Sequence, residues 1–123
     1  MSIEGGKPGF VFHITERSAF SAALETGVYE APSLKSEGFI HCSTRAQIAR
    51  TAVRFFRGRR GLVLLCIEAT PLGDALRFEP ADEELFPHCY AGIAVEQIVA
   101  VIEFPCDANG EFVLPEEIEM FGA

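Results

Sequence analysis

Residues 58–68 read GRRGLVLLCIE, and the change of pattern inside this stretch decides the fold class. Before it, apolar side chains recur at helical spacing; after it, they gather in short runs rich in β-branched and aromatic residues, the composition of strands. Gly58 stops a helix with the apolar stripe Ile48, Ala52, Phe55 and Phe56, for which Ser43 or Thr44 is the candidate cap. From Gly61 onward the reading is mainly strands, over residues 61–68, 75–79, 85–90, 99–104 and 111–114. Asn109-Gly110 marks a turn that makes the last two a hairpin, and Pro87 sends its own strand to a sheet edge or near a strand start.

Upstream, residues 9–15 form a first strand, and Thr15 is placed to cap a helix running through Ala19, Phe20, Ala23 and Leu24 until Gly27 ends it. Residues 28–37 read as a turn-rich link and residues 38–42, GFIHC, as a second strand. Two main helices in the N-terminal half, followed by many short strands, predict an α+β domain with a mixed or antiparallel β-sheet core. A length of 123 residues fits a single domain, 1–123, with residues 1–8 a flexible N-terminus.

The longest apolar run, Leu62 to Ile67, is too short to cross a bilayer, and residues 1–9 lack the basic and apolar segments of a secretion signal. These features predict a cytoplasmic protein without membrane association. Cys42, Cys66, Cys89 and Cys106 have no C-x-x-C spacing and are expected to be reduced and mostly buried. The net charge of −8 excludes general nucleic-acid binding. It is unevenly spread: residues 1–60 carry nine of the ten basic side chains and only five of the eighteen acids, with six arginines between Arg45 and Arg60. That local basic patch reads first as a solvated helix face.

Alternation along a strand sorts the candidate functional residues. In FVFHIT, His13 and Thr15 share a face with Val11; in GFIHCST, Phe39, His41 and Ser43 share one face and Ile40 and Cys42 the other; in ELFPHCY, Phe86, His88 and Tyr90 lie together opposite Leu85 and Cys89. Imidazoles therefore fall among aromatic rings and hydroxyls while thiols point the other way. Adjacent His-Cys pairs so divided do not build a tetrahedral zinc site, and the thiols lack a neighbouring base, so no metal and no thiol nucleophile are expected. Each histidine taken alone reads as a hydrogen-bonded core residue. Taken together, His13, His41 and His88 describe a cleft suited to a flat ring and an anion, the anion held at a helix N-terminus. Arg77 is the one basic side chain after residue 60; an ion pair with Glu79 on its own strand face is its ordinary role, a ligand phosphate the sharper one. Asp82, Glu83 and Glu84 form an acidic turn.

FHIT, EGFIHCST, LRFEP and ELFPHCYAGI resemble, across most of the chain, an uncharacterised bacterial family designated domain of unknown function 952. That family is itself similar to the ADP-ribosyltransferase fold, including NAD-using tRNA 2′-phosphotransferases. FHIT is similar to their Tyr-His-Gly-Thr strand, which matches His13 and Thr15, and FIHCS is similar to their His-x-His-Leu-Ser segment, which matches His41 and Ser43. Ile14 stands where those enzymes have glycine, and their N-terminal RNA module has no counterpart. The resemblance implies an ADP-ribosyltransferase-like fold with NAD as cofactor or ligand, His13 on a ribose, and Phe39 or Tyr90 beside the nicotinamide. Within this reading His41 and Glu84 are the catalytic candidates, and His13, Thr15, Phe39, Ser43, Arg77, His88 and Tyr90 the ligand-binding ones. Two rival readings use the same residues: a non-enzymatic module binding a small anionic ligand or partner peptide, and a metal-dependent hydrolase using all three histidines.

Overall fold

The computed structural model describes residues 9–121; the flexible N-terminus expected for residues 1–8 lies outside the described residues. The chain runs β1 (Phe10–Glu16), α1 (Arg17–Thr26), β2 (Val28–Tyr29), α2 (Pro32–Ser36) and β3 (Ile40–His41). It continues through a 3-10 turn at Arg45–Gln47 into α3 (Ile48–Phe56), then β4 (Leu62–Glu68), β5 (Leu76–Ala81), β6 (Glu84–Cys89), β7 (Ile93–Ala94) and β8 (Ile98–Glu103), before a last 3-10 turn at Glu116–Phe121. One sheet has the order β1–β4–β8, a second β3–β6–β5, and β2 pairs with β7; every pairing is antiparallel. The fold is therefore α+β, with the antiparallel member of the two expected sheet types. No helix among the described residues is long and apolar enough to cross a membrane.

The apolar run that opened the downstream pattern becomes β4, the middle strand of the first sheet, and it lacks alternation because both of its faces are covered. Val63, Leu65 and Ile67 pack with Val11 of β1, Ala23 of α1, Tyr29, and Ile40, Leu76 and Cys89 of the second sheet. Leu62, Leu64 and Cys66 pack on the opposite side with Phe12 and Ile14 of β1, Ile48 and Ala52 of α3, and Phe104, Phe112 and Ile118. Each fully buried Leu or Ile here contributes roughly 1.5–3 kcal/mol relative to exposure, which makes this strand the anchor of both layers.

Several local expectations are corrected. Thr15 does not cap α1: the cap position is Glu16, without a side-chain cap bond, because Thr15 stays in β1 opposite Val63. Gly27 does end α1, with a left-handed φ of 86° and its N–H donating to the Ala23 carbonyl at 2.8 Å. The hairpin expected at residues 99–114 reduces to a single bridge between Cys106 and Phe112. There the Asp107 carboxylate accepts the N–H groups of Asn109 and Glu111, at 2.8 and 3.0 Å, beside backbone bonds from Gly110 N–H to the Asp107 carbonyl and from Asp107 N–H to the Glu111 carbonyl, at 2.9 and 2.8 Å.

Pro87 lies in the central strand of the second sheet, not at an edge. The reason is the brevity of β3. N–H and carbonyl of one strand residue point the same way, and the Pro87 carbonyl accepts the Cys42 N–H at 3.0 Å, so the missing donor faces the place where β3 has already ended.

Candidate functional site

The site begins where one short segment belongs to two sheets. Ile40 and His41 pair with Cys89 and His88 of β6; two residues later, Ser43 bridges to Phe12 of β1, with backbone bonds of 2.7 and 2.8 Å. Alternation sends Ile40 and Cys42 into the core and turns Phe39, His41 and Ser43 toward a cleft of about 850 Å³. His13 and His88 line the same cleft, so three imidazoles from three separate strands meet around one hollow.

They arrive in different chemical states. The His13 Nδ1–H donates to the His41 backbone carbonyl at 2.6 Å, which leaves Nε2 as an acceptor for the Tyr29 hydroxyl at 2.8 Å. Since the one Tyr29 proton goes to His13, the contact between Tyr29 and Thr15 hydroxyls, 3.0 Å, is donated by Thr15. Burial pushes the His13 pKa down to about 4, so the ring is neutral near pH 7. His13 and Thr15, expected on the ligand, thus form the floor of the cleft with their polar atoms committed to the protein.

His41 and His88 sit directly opposite each other on β3 and β6, with ring centroids 5.5 Å apart, edge to face. Phe39 stacks on His88 at 4.1 Å and tilts against His41 at 4.7 Å, completing an aromatic platform. The His41 Nε2–H donates to Glu37 at 3.0 Å in a half-exposed pair. The His88 Nδ1–H donates to Glu79 at 2.8 Å, and the Tyr90 hydroxyl donates to the same carboxylate oxygen at 2.6 Å. Those two bonds, Tyr90 first, hold the Glu79 carboxyl below its ordinary pKa, while the hydrogen bond to Glu79, and then burial, push the Tyr90 hydroxyl up.

Other expected site residues lie elsewhere. Glu84 is outside the cleft: it accepts Gln47 Nε2–H at 3.0 Å and pairs with Arg50 at 2.6 Å. Arg50 and then Gln47 keep its carboxyl below the usual range, so the catalytic assignment of Glu84 is corrected; it fastens the start of α3 to β6. Tyr90 and Arg77 are also outside the cleft lining, and the expected Arg77–Glu79 ion pair is replaced by Arg77 lying over the Tyr90 ring at 4.7 Å. The α3 N-terminus is not an anion site facing the cleft, because the Thr44 N–H is taken by Gln47 Oε1 at 2.9 Å and neither residue lines the hollow. Carboxylates that do line it are Glu16, paired with Arg59 at 2.8 Å, Asp82, paired with Arg54 at 2.8 Å, and Glu37.

Cys42, Cys66 and Cys89 are buried free thiols; burial pushes all three up, Cys66 to about 12, which removes them as nucleophiles, and Cys106 is half-buried outside the cleft. The three-histidine metal reading does not fit either, since both His13 nitrogens are occupied. Among the described residues, no group of three or more His, Cys, Asp or Glu side chains is arranged to hold an ion.

Tyr29, Glu37, Gln47 and Glu79 are partners that reading along the sequence did not assign to the site. Gln47 was legible as the third residue after Thr44, the spacing of a capping box, and Glu79 as a strand neighbour of Arg77. Tyr29 carried no local signal beyond being an aromatic residue in a link.

Over residues 14–101 the sequence matches the family described as "Protein of unknown function (DUF952)". The crystal structure of protein CC0527 from Caulobacter crescentus is 33% identical, with a TM-score of 0.83, covering 89% of this chain and 98% of that one. The solution NMR structure of CC0527 is 35% identical, with a TM-score of 0.73, covering 83% and 90%. No curated protein matches the chain.

Proposed function

The chain belongs to the DUF952 family, proteins of unknown function, and from the chemistry of its cleft we propose that it binds NAD or a related nucleotide. The observation that carries this reading is the platform of Phe39 and His88, with His41 beside it, at the wall of a hollow of about 850 Å³. That volume is within the usual range for ligand pockets, and stacked rings with a few placed polar groups favour a planar heterocycle over an aliphatic ligand. Ile14, in place of the glycine of the ADP-ribosyltransferase-like strand, packs mainly into the core and also borders the hollow. Glu37, beside His41, offers a further polar group, while the buried Ser43 hydroxyl already donates to Thr51 at 3.3 Å.

Thermal unfolding with NAD, ADP-ribose, inorganic phosphate and Zn²⁺ tests the proposal. A ligand that binds only the folded state stabilises it by about 2.7 kcal/mol at one hundred times its Kd. NAD or ADP-ribose is expected to raise the melting temperature of the native protein and to lose that effect in Phe39→Ala. Stabilisation by phosphate but not by either nucleotide refutes the reading.

The rival reading, a binding module without chemistry, is favoured by one observation: the carboxylate expected to stabilise positive charge, Glu84, is spent on Arg50 and Gln47. NAD binding that persists through long incubation without release of nicotinamide supports it.

A further inference from the structure

His88 is nearly buried, with 8% of its side chain exposed, yet only one of its nitrogens has a partner. Phe39 covers a face of the ring, Glu79 holds Nδ1–H, and the ring lines the cleft. No hydrogen-bond partner for Nε2 exists among the described residues. Buried polar atoms are paired as a rule, so an unpaired nitrogen on a cleft wall points to a group brought by a ligand. Its character is fixed as well. Because a carboxylate only accepts, the neutral ring carries its proton on Nδ1 and presents a lone pair at Nε2. Tyr90 donates to the same Glu79 oxygen and so holds the carboxylate in place.

We propose that His88 is a general base of the cleft and Glu79 its positioning residue. Resting on the NAD reading above, the step is a displacement at the ribose carbon that bears nicotinamide. His88 Nε2 takes the proton of a water or an acceptor hydroxyl as its oxygen bonds to that carbon. The carbon–nitrogen bond breaks with its electron pair going to nicotinamide, and the imidazolium then releases its proton to solvent. The charged and titratable groups around His88 are Glu79 and Arg77 on β5, Tyr90 following β6, His41 on β3 and Glu37 beyond α2; each of them bears on the acid limb of a pH profile.

The test measures nicotinamide release from NAD by chromatography between pH 5 and 9, with thermal shifts by NAD in parallel. Native protein is expected to release nicotinamide with a rate that falls on the acid side. His88→Gln, which also removes a ring of the platform, is expected to weaken the NAD shift and, at saturating NAD, to lose roughly 10²–10⁴-fold in rate. Glu79→Gln, as a positioning change, is expected to lower kcat with little change in KM and to displace the acid limb. NAD binding without release at any pH, or release undiminished in His88→Gln, overturns the general base and leaves the binding reading standing; absence of any NAD shift overturns both. Should His88→Gln fail to fold, ¹⁵N imidazole spectra of the native protein decide: a His88 proton on Nδ1 supports the proposal, and one on Nε2 overturns it.

Discussion

His13 makes acid stability a direct readout of the seam between β1 and β3. The unfolded imidazole titrates at about 6.5 and the native ring, held neutral by burial, at about 4. Between those values the unfolded chain binds a proton that the native protein does not, so acid favours unfolding. The stability contributed by the neutral ring is fully present above pH 6.5 and is lost as the pH falls toward 4. Across the whole interval it amounts to about 3 kcal/mol, and between pH 7 and pH 5 to about 2 kcal/mol. At this chain length that corresponds to a melting temperature lower by roughly 6–10 °C. Urea unfolding of the native protein and His13→Gln at both pH values is the assay. The carboxyl groups of Glu79 and Glu84, held below their ordinary range by their hydrogen bonds, are common to both proteins, so they cancel in the comparison. The native protein is expected to lose about 2 kcal/mol more than the variant on acidification. Equal losses, or a native His13 that titrates by NMR near 6.5, refute the claim that burial and two hydrogen bonds hold this ring uncharged.

Tyr29→Phe strips the donor from buried His13 Nε2 and is expected to cost about 1–3 kcal/mol in urea unfolding; a change below about 0.5 kcal/mol shows that the hydroxyl is not what satisfies the ring. The β5–β6 turn places Asp82 and Glu83 at φ of 50° and 68°, a geometry in which a glycine at the second position is preferred, so Glu83→Gly is expected to stabilise by about 0.5–1 kcal/mol and a loss of stability contradicts the strain. Iodoacetamide under native conditions is expected to label Cys106 alone among the four thiols, and mass spectrometry finding Cys42, Cys66 or Cys89 modified without denaturant contradicts their burial.

Alternation carried most of what was legible. Period two placed His13 with Thr15 and Val11, and His41 with Phe39 and Ser43, because successive strand side chains alternate, and around β3 the two faces also differ in chemistry, with Ile40 and Cys42 in the core. Where both faces are buried, as in β4, the pattern gave the strand but no orientation. The misplacements have a common cause: they depend on how many residues a neighbour pairs. Pro87 could be central only because β3 stops after two residues, and residues 111–114 pair at a single bridge, Phe112 with Cys106, beyond a turn held by Asp107. Glu84 was expected at the cleft, and lies outside it, for a related reason. Glu84 is close to His88 along the chain, but Arg50, more than thirty positions away, fixes where it points, while Glu79 reaches His88 across the β5–β6 ladder.

Three histidines of equal standing in the sequence are made unequal by the place where the chain changes sheets. A segment that pairs with β6 at Ile40 and His41 and with β1 at Ser43 lies flush with neither sheet, and the divergence opens a hollow along it. His13 closes the seam by donating to the carbonyl of His41, so one imidazole is consumed in holding the backbone that presents another. His41 and His88 each have one nitrogen on a carboxylate, and among the described residues their second nitrogens have no hydrogen-bond partner. The chemistry proposed for the cleft therefore falls to the second sheet. A change at His13 reaches it through the position of the His41 main chain, so such a change is expected to alter ligand affinity and stability together, whereas under the general-base proposal a change at His88 is expected to alter the reaction while leaving the seam closed.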